Sequence, residues 1–130
     1  MKILLIQSIV TFMFFNALLA NNNLSVVSTS CTSIAVQLQN TEAIAGIQFT
    51  INCSSNFILS DPKRGDRVSD LSWMMDTYRP NDSTINVLFI NMKNVLLDAG
   101  TGSILQLTLT SDGKVQESNI MLTNVIVTNT

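Results

Sequence analysis

The stretch AIAGIQFTINC, residues 43–53, decides the fold. Read by twos, Ala45, Ile47, Phe49, Ile51 and Cys53 are apolar, with Gly46, Gln48, Thr50 and Asn52 between them. Side chains alternate faces along a strand, so a period of two describes a strand that buries one side and wets the other. The preceding SIAVQLQN, residues 33–40, does the same, with Ile34, Val36 and Leu38 alternating against Ala35, Gln37 and Gln39. Asn40, Thr41 and Glu42 lie between the two runs as turn formers. Together they predict a hairpin pairing Leu38 with Ile47, Val36 with Phe49 and Ile34 with Ile51, so that inward residues meet inward residues. In that register Cys53 falls opposite Thr32, one residue from Cys31. A small bulge or a diagonal reach then lets the sulfurs meet. Cys31 and Cys53 are the chain's two cysteines. A disulfide between them is expected in an exported protein, the alternative being two buried thiols.

The pattern recurs along the chain. Leu24–Ser28, Phe57–Leu59, a segment around Leu71–Met75, Ile85–Met92, Ile104–Thr110 and Asn119–Thr128 all read as strands. In Ile104–Thr110, Leu105, Leu107 and Leu109 alternate with Gln106, Thr108 and Thr110. Asp98-Ala99-Gly100-Thr101-Gly102 and Ser111-Asp112-Gly113-Lys114 read as turns. No apolar run keeps a helical period beyond a turn or two. Strands at this spacing predict an all-β antiparallel sandwich. Residues 60–83 are the most polar part and read mainly as a charged surface loop.

The first twenty residues, MKILLIQSIVTFMFFNALLA, stand apart. Lys2, an apolar run and the small Ala20 before Asn21-Asn22-Asn23 make the pattern of a secretory signal peptide, shorter than a membrane anchor needs. Taking those 20 from 130 residues leaves 110 for one domain, residues 21–130, with one modest core. Six basic and nine acidic residues remain in it, a net charge of −3. No basic stripe offers itself to nucleic acid, and no basic amphipathic helix to a membrane surface. The expected setting is outside the cell or on its surface, with no stable membrane insertion after cleavage.

Little in the domain can do chemistry. There is no histidine, so general acid–base work would fall to carboxylates. Asp61, Asp66, Asp70, Asp76 and Asp82 cluster in the polar segment, but without the spacing of a calcium loop. They read as a solvated face, and neither catalysis nor a metal or other cofactor is expected. Arg64-Gly65-Asp66 spells an adhesion tripeptide and reads as a solvated turn.

Taken in series, VQLQNTEAIAGIQFTI (36–51), NVLFIN (86–91), GTGSILQLTLT (100–110) and IMLTNVIVTN (120–129) resemble cohesin modules. The order is the same: a strand, a short Asn-containing turn, a strand carrying Gly-x-Gln-Phe, an apolar middle strand, a Gly turn into a threonine-rich strand, and a closing strand. The resemblance implies a sandwich of jelly-roll topology that binds a dockerin-like protein partner without catalysis, in the neighbourhood of polysaccharide degradation. It also implies a further strand beside the first; with the sequence ending at Thr130, the sandwich is expected to lack it and to leave Leu24–Ser28 as a pairing edge.

The segment INVLFINM, residues 85–92, locates a face. If Ile85, Val87 and Phe89 point inward, Leu88 and Ile90 point outward, where a half-solvated strand should be polar. By the resemblance, the docking face is Gln48, Thr50 and Asn52 beside Leu88 and Ile90, flanked by Met121 and Thr123. Three other readings compete. Residues 61–83 could fold over Leu88 and Ile90. The domain could bind carbohydrate through Trp73 and Tyr78. A partner strand could complete the sheet at Leu24–Ser28.

Overall fold

A computed structural model describes residues 22–30, 32–54, 57–111 and 120–128. The expected signal peptide, Cys31 and the turn around residues 112–114 lie outside them. The strands are β1 (Asn22–Ser30), β2 (Ser33–Asn40), β3 (Gly46–Asn52), β4 (Phe57–Arg64), β5 (Trp73–Asn81), β6 (Thr84–Asn91), β7 (Gly100–Ser111) and β8 (Met121–Thr128). One 3₁₀ turn, Asp66–Val68, sits between β4 and β5. The strands form two four-stranded sheets, in the orders β1-β2-β7-β4 and β5-β6-β3-β8. Every pairing is antiparallel. The expected all-β jelly-roll sandwich is therefore the fold.

The core is built from the inward half of each alternation. Ile34, Val36 and Leu38 of β2 meet Ile47, Phe49 and Ile51 of β3 across the sandwich, each at most 2% exposed. Ile85, Val87 and Phe89 of β6 and Leu105, Leu107 and Leu109 of β7 complete its centre. Burying each such side chain contributes ~1.5–3 kcal/mol, before the entropy of ordering the chain is set against it. A register shift between Val36 and Gln37 leaves Ile104 as the extra residue of β7, so Ile104 and Leu105 are both buried.

Two expectations are corrected. The hairpin of residues 33–53 does not form. β2 is paired on both sides, by β1 and β7, and β3 by β6 and β8. The two strands lie in opposite sheets and their apolar faces oppose each other instead of pairing edge to edge. The connection between them is an arch, not a turn. Its Ile44 is fully buried and bridges Leu97, with Ile44 N donating to Leu97 O at 2.9 Å and Leu97 N to Ile44 O at 2.8 Å. Asn40 Nδ2 braces it, donating to Glu42 O at 2.7 Å and Asp98 O at 3.1 Å.

The second correction concerns residues 60–83. Most of them are strand: β4 continues to Arg64, and β5 occupies Trp73–Asn81 at a sheet edge. Arg64-Gly65-Asp66 is not a solvated turn. Gly65 is buried against β7, its amide donating to Ile104 O at 2.9 Å. Arg64 NH1 donates to Trp73 O at 2.7 Å.

Candidate docking face

The outer face of the β5-β6-β3-β8 sheet carries all seven residues that the sequence assigns to a docking face. Strand register arranges them in rows. Met74, Ile90, Gly46 and Thr128 form one row; Asp76, Leu88, Gln48 and Ile126 the next. Tyr78, Asn86, Thr50 and Thr123 follow, then Thr84, Asn52 and Met121. One end of the face is thus apolar and the other polar.

The polar end is tied together laterally. Thr50 Oγ1 donates to Asn86 Oδ1 at 2.8 Å. Thr84 Oγ1 donates to Asn52 Oδ1 at 3.0 Å, and Asn52 Nδ2 to Thr123 Oγ1 at 3.2 Å. These short side chains are held by their neighbours, so they lose little entropy if something binds over them. At the apolar end Leu88 is half-buried, Ile90 is 39% exposed and Ile126 54% exposed. Gly46 contributes no side chain to this end. The result is a shallow depression of about 200 Å³ lined by Gly46, Gln48, Leu88, Ile90, Ile126 and Thr128.

Nothing from residues 61–83 folds over Leu88 and Ile90. β5 pairs beside β6, placing Asp76 next to Leu88 and Met74 next to Ile90, so it extends the face without covering it.

Parity alone missed Ile126. Counting by twos from Met121 and Thr123 points Val125 outward. Asn124, however, has φ 53°, and the register shifts between Gln48 and Thr50, so two residues of β8 oppose Phe49. This β-bulge reverses the phase. Val125 and Val127 turn to the core, and Ile126 turns out. The signal was an asparagine inside an apolar strand, since asparagine tolerates the left-handed region.

The aromatic pair of the carbohydrate reading does not form a platform. Trp73 is 4% exposed and packs in the core, while Tyr78 is 66% exposed. Five residues apart on one strand, they point to opposite faces. Cys53 carries a free thiol, 3.6 Å from Phe57 O. Burial pushes that thiol up from its ordinary range, and a hydrogen bond with Ser83 partly offsets the shift. The register that placed Cys53 opposite Thr32 does not exist, and Cys31 lies outside the described residues. Among the described residues no group of three or more His, Cys, Asp or Glu comes together as a metal site.

No family model matches the chain, and no curated protein matches it. Solved structures do match. A non-cellulosomal cohesin from the archaeon Archaeoglobus fulgidus superposes with a TM-score of 0.61 at 14% identity, over 73% of this chain and 64% of that one. A cohesin in a type I cohesin–dockerin complex from Clostridium thermocellum gives 0.62 at 19% identity, over 73% and 70%. The fold is that of the cohesins. A cohesin from Clostridium acetobutylicum, solved in solution, agrees at 0.61 and 18% identity, over 82% of this chain and 78% of that one. The chain spans less than two thirds of the archaeal protein's length. The likeness to these cohesins is carried by the backbone.

Proposed function

We propose that this protein is a non-catalytic recognition module whose β5-β6-β3-β8 face docks a dockerin-type protein partner. The observation that carries this reading is the patch of half-buried Leu88 with exposed Ile90 and Ile126 around the Gly46 depression, bordered on one side by hydrogen-bonded uncharged side chains. An apolar centre with a polar surround is the anatomy of a protein interface. The fold adds support, because cohesins of this fold have been solved in complexes with dockerins, of both type I and type II. Gln48, Thr50, Asn52, Leu88, Ile90, Met121 and Thr123 would touch the partner, joined by Asn86 and Ile126. The module works outside the cell or on its surface, after removal of residues 1–20, and near polysaccharide-degrading machinery, as the resemblance implies.

Calorimetric titration against a panel of type I and type II dockerin modules tests the reading. Saturable one-to-one binding to a panel member is the expected result. Retention on insoluble glycans with no dockerin binding would overturn it in favour of a carbohydrate-binding module.

A further inference from the structure

The apolar end of the candidate face does not stop where its sheet stops. Met74 pairs with Ile90, and Trp73 with Asn91, at the last step of the β5–β6 ladder. Met92 N then donates to Ser72 O at 2.6 Å, which carries the same register one row further. Leu88, Ile90 and Met92, two residues apart, therefore follow one another along β6 and past its end, over roughly 13 Å. Met74 flanks this strip, and Leu71 stands beyond it. Met92 is 65% exposed and Leu71 82%.

The two loops that carry them are fixed. Asp70 Oδ1 accepts from Ser72 N at 2.8 Å. Asn91 Oδ1 accepts from Lys93 N at 2.8 Å and Val95 N at 3.2 Å, and Asn91 Nδ2 donates to Ser72 Oγ at 3.0 Å. Large apolar side chains held in water on ordered turns contribute little to the core, and an apolar patch with a polar rim marks an interaction site. The rim here is acidic. Asp76 is the one charged side chain in the four rows of the face. It is exposed beside Leu88 and forms no ion pair with another described residue. On the adjoining loops, 69–72 and 92–99, Asp70 and Asp98 are exposed against a single base, Lys93.

We infer that the docking face continues onto Met92 and Leu71, and that the partner lays an apolar segment along Leu88, Ile90 and Met92 with a lysine or arginine over Asp76. This rests on the docking reading and adds the partner's chemistry to it. A partner that covers Leu88 also takes water from Asp76, and a carboxylate dehydrated without a counter-charge is strongly disfavoured. Asp76 therefore selects for a cation at that point. The same excess of acid repels an anionic bilayer, so the exposed loops favour a protein over a lipid surface.

Calorimetric titration with a dockerin module that binds the wild type tests this, with Leu88→Asp as the reference for the docking reading. Met92 and Asp76 are exposed, so their variants should unfold at the wild-type temperature. Met92→Asp is expected to weaken the Kd roughly fivefold or more, and Asp76→Lys roughly tenfold or more. Asp76→Asn should make the association rate less sensitive to salt. A Lys/Arg→Glu scan of the dockerin should restore binding to Asp76→Lys at one position. A Kd unchanged by Met92→Asp or by Asp76→Lys, where Leu88→Asp weakens it, overturns this inference and leaves the docking reading standing. Binding to neutral phosphatidylcholine vesicles that Met92→Asp abolishes, with dockerin affinity unchanged, overturns it in favour of a lipid surface. If no dockerin binds the wild type, the docking reading fails and this inference falls with it.

Discussion

Gly65→Ala tests how closely the 3₁₀ turn is pressed onto β7. Gly65 has φ −79° and ψ 174°, which alanine adopts without strain. On the backbone alone the change should stabilise by ~0.4–1 kcal/mol, through a less flexible unfolded chain. The space decides otherwise. A Cβ there would lie 2.4 Å from the carbonyl carbon and oxygen of Ser103 and 2.6 Å from Ile104 N. These are backbone atoms of a paired strand and cannot rotate away. The turn must lift off β7, which costs ~1–3 kcal/mol of overpacking. Lifting also breaks the Gly65 N to Ile104 O hydrogen bond of 2.9 Å, worth ~1 kcal/mol. The net loss is roughly 2–3 kcal/mol, or a Tm lower by roughly 10–20 °C for a domain of this size. Urea unfolding followed by Trp73 fluorescence reads it, because Trp73 is the only tryptophan and is buried. Gly46→Ala is the control: its Cβ would meet only Phe89 O, at an ordinary 3.4 Å, and stability should not fall. A Gly65→Ala protein as stable as the wild type would refute the close approach.

Two more outcomes follow from single residues. Asn124 holds the left-handed conformation that sets the phase of β8; Asn124→Gly should be near neutral, while Asn124→Val should cost ~1–2 kcal/mol by chemical denaturation. In reduced protein, Cys53 is held neutral by burial. A raised thiol pKa means that the folded state holds its proton more tightly. The stability it confers is complete below the ordinary cysteine range, about pH 8.5, and drains away as pH rises through the raised value. In a Cys31→Ser background, Cys53 should alkylate more slowly at pH 8 than it does in urea, and Cys53→Ser should remove its share of the alkaline loss.

The period of two made most of this fold legible. β2 matched its expected bounds, and the inward residues of β2, β3, β6 and β7 are those the alternation named, with Ile104 of β7 added by the register shift. Alternation says which face is buried, not which strand lies alongside. Asn40-Thr41-Glu42 is compatible with a hairpin and with an arch between sheets. The sign that separated them was Ile44, an apolar residue inside the connection, which an exposed turn has no use for but an arch over the core buries. The polar segment blurred the extent of β5, expected around Leu71–Met75 and found at Trp73–Asn81, because an edge strand with one solvated face carries the charges and proline that also mark loops. At the candidate face, Leu88 and Ile90 were readable because they break the alternation. Asn86, two residues before Leu88 on the same strand, shares that parity and was equally legible; Met74 and Ile126 were not, since each joins the face only through cross-strand register or the bulge at Asn124.

The most direct measurement is calorimetric binding of a dockerin module by the wild type, by Leu88→Asp and by Ile126→Asp. Both substitutions place a charge at the centre of the apolar end, beside Asp76 in the case of Leu88. Neither alters a fully buried residue, so the far-ultraviolet circular dichroism should not change. Loss of a central contact is expected to cost at least ~2 kcal/mol, which is roughly a thirtyfold weaker Kd. Gln106→Asp, on the exposed face of the other sheet, should bind like the wild type. Dockerin binding that survives Leu88→Asp and Ile126→Asp undiminished, in folded protein, would contradict the account.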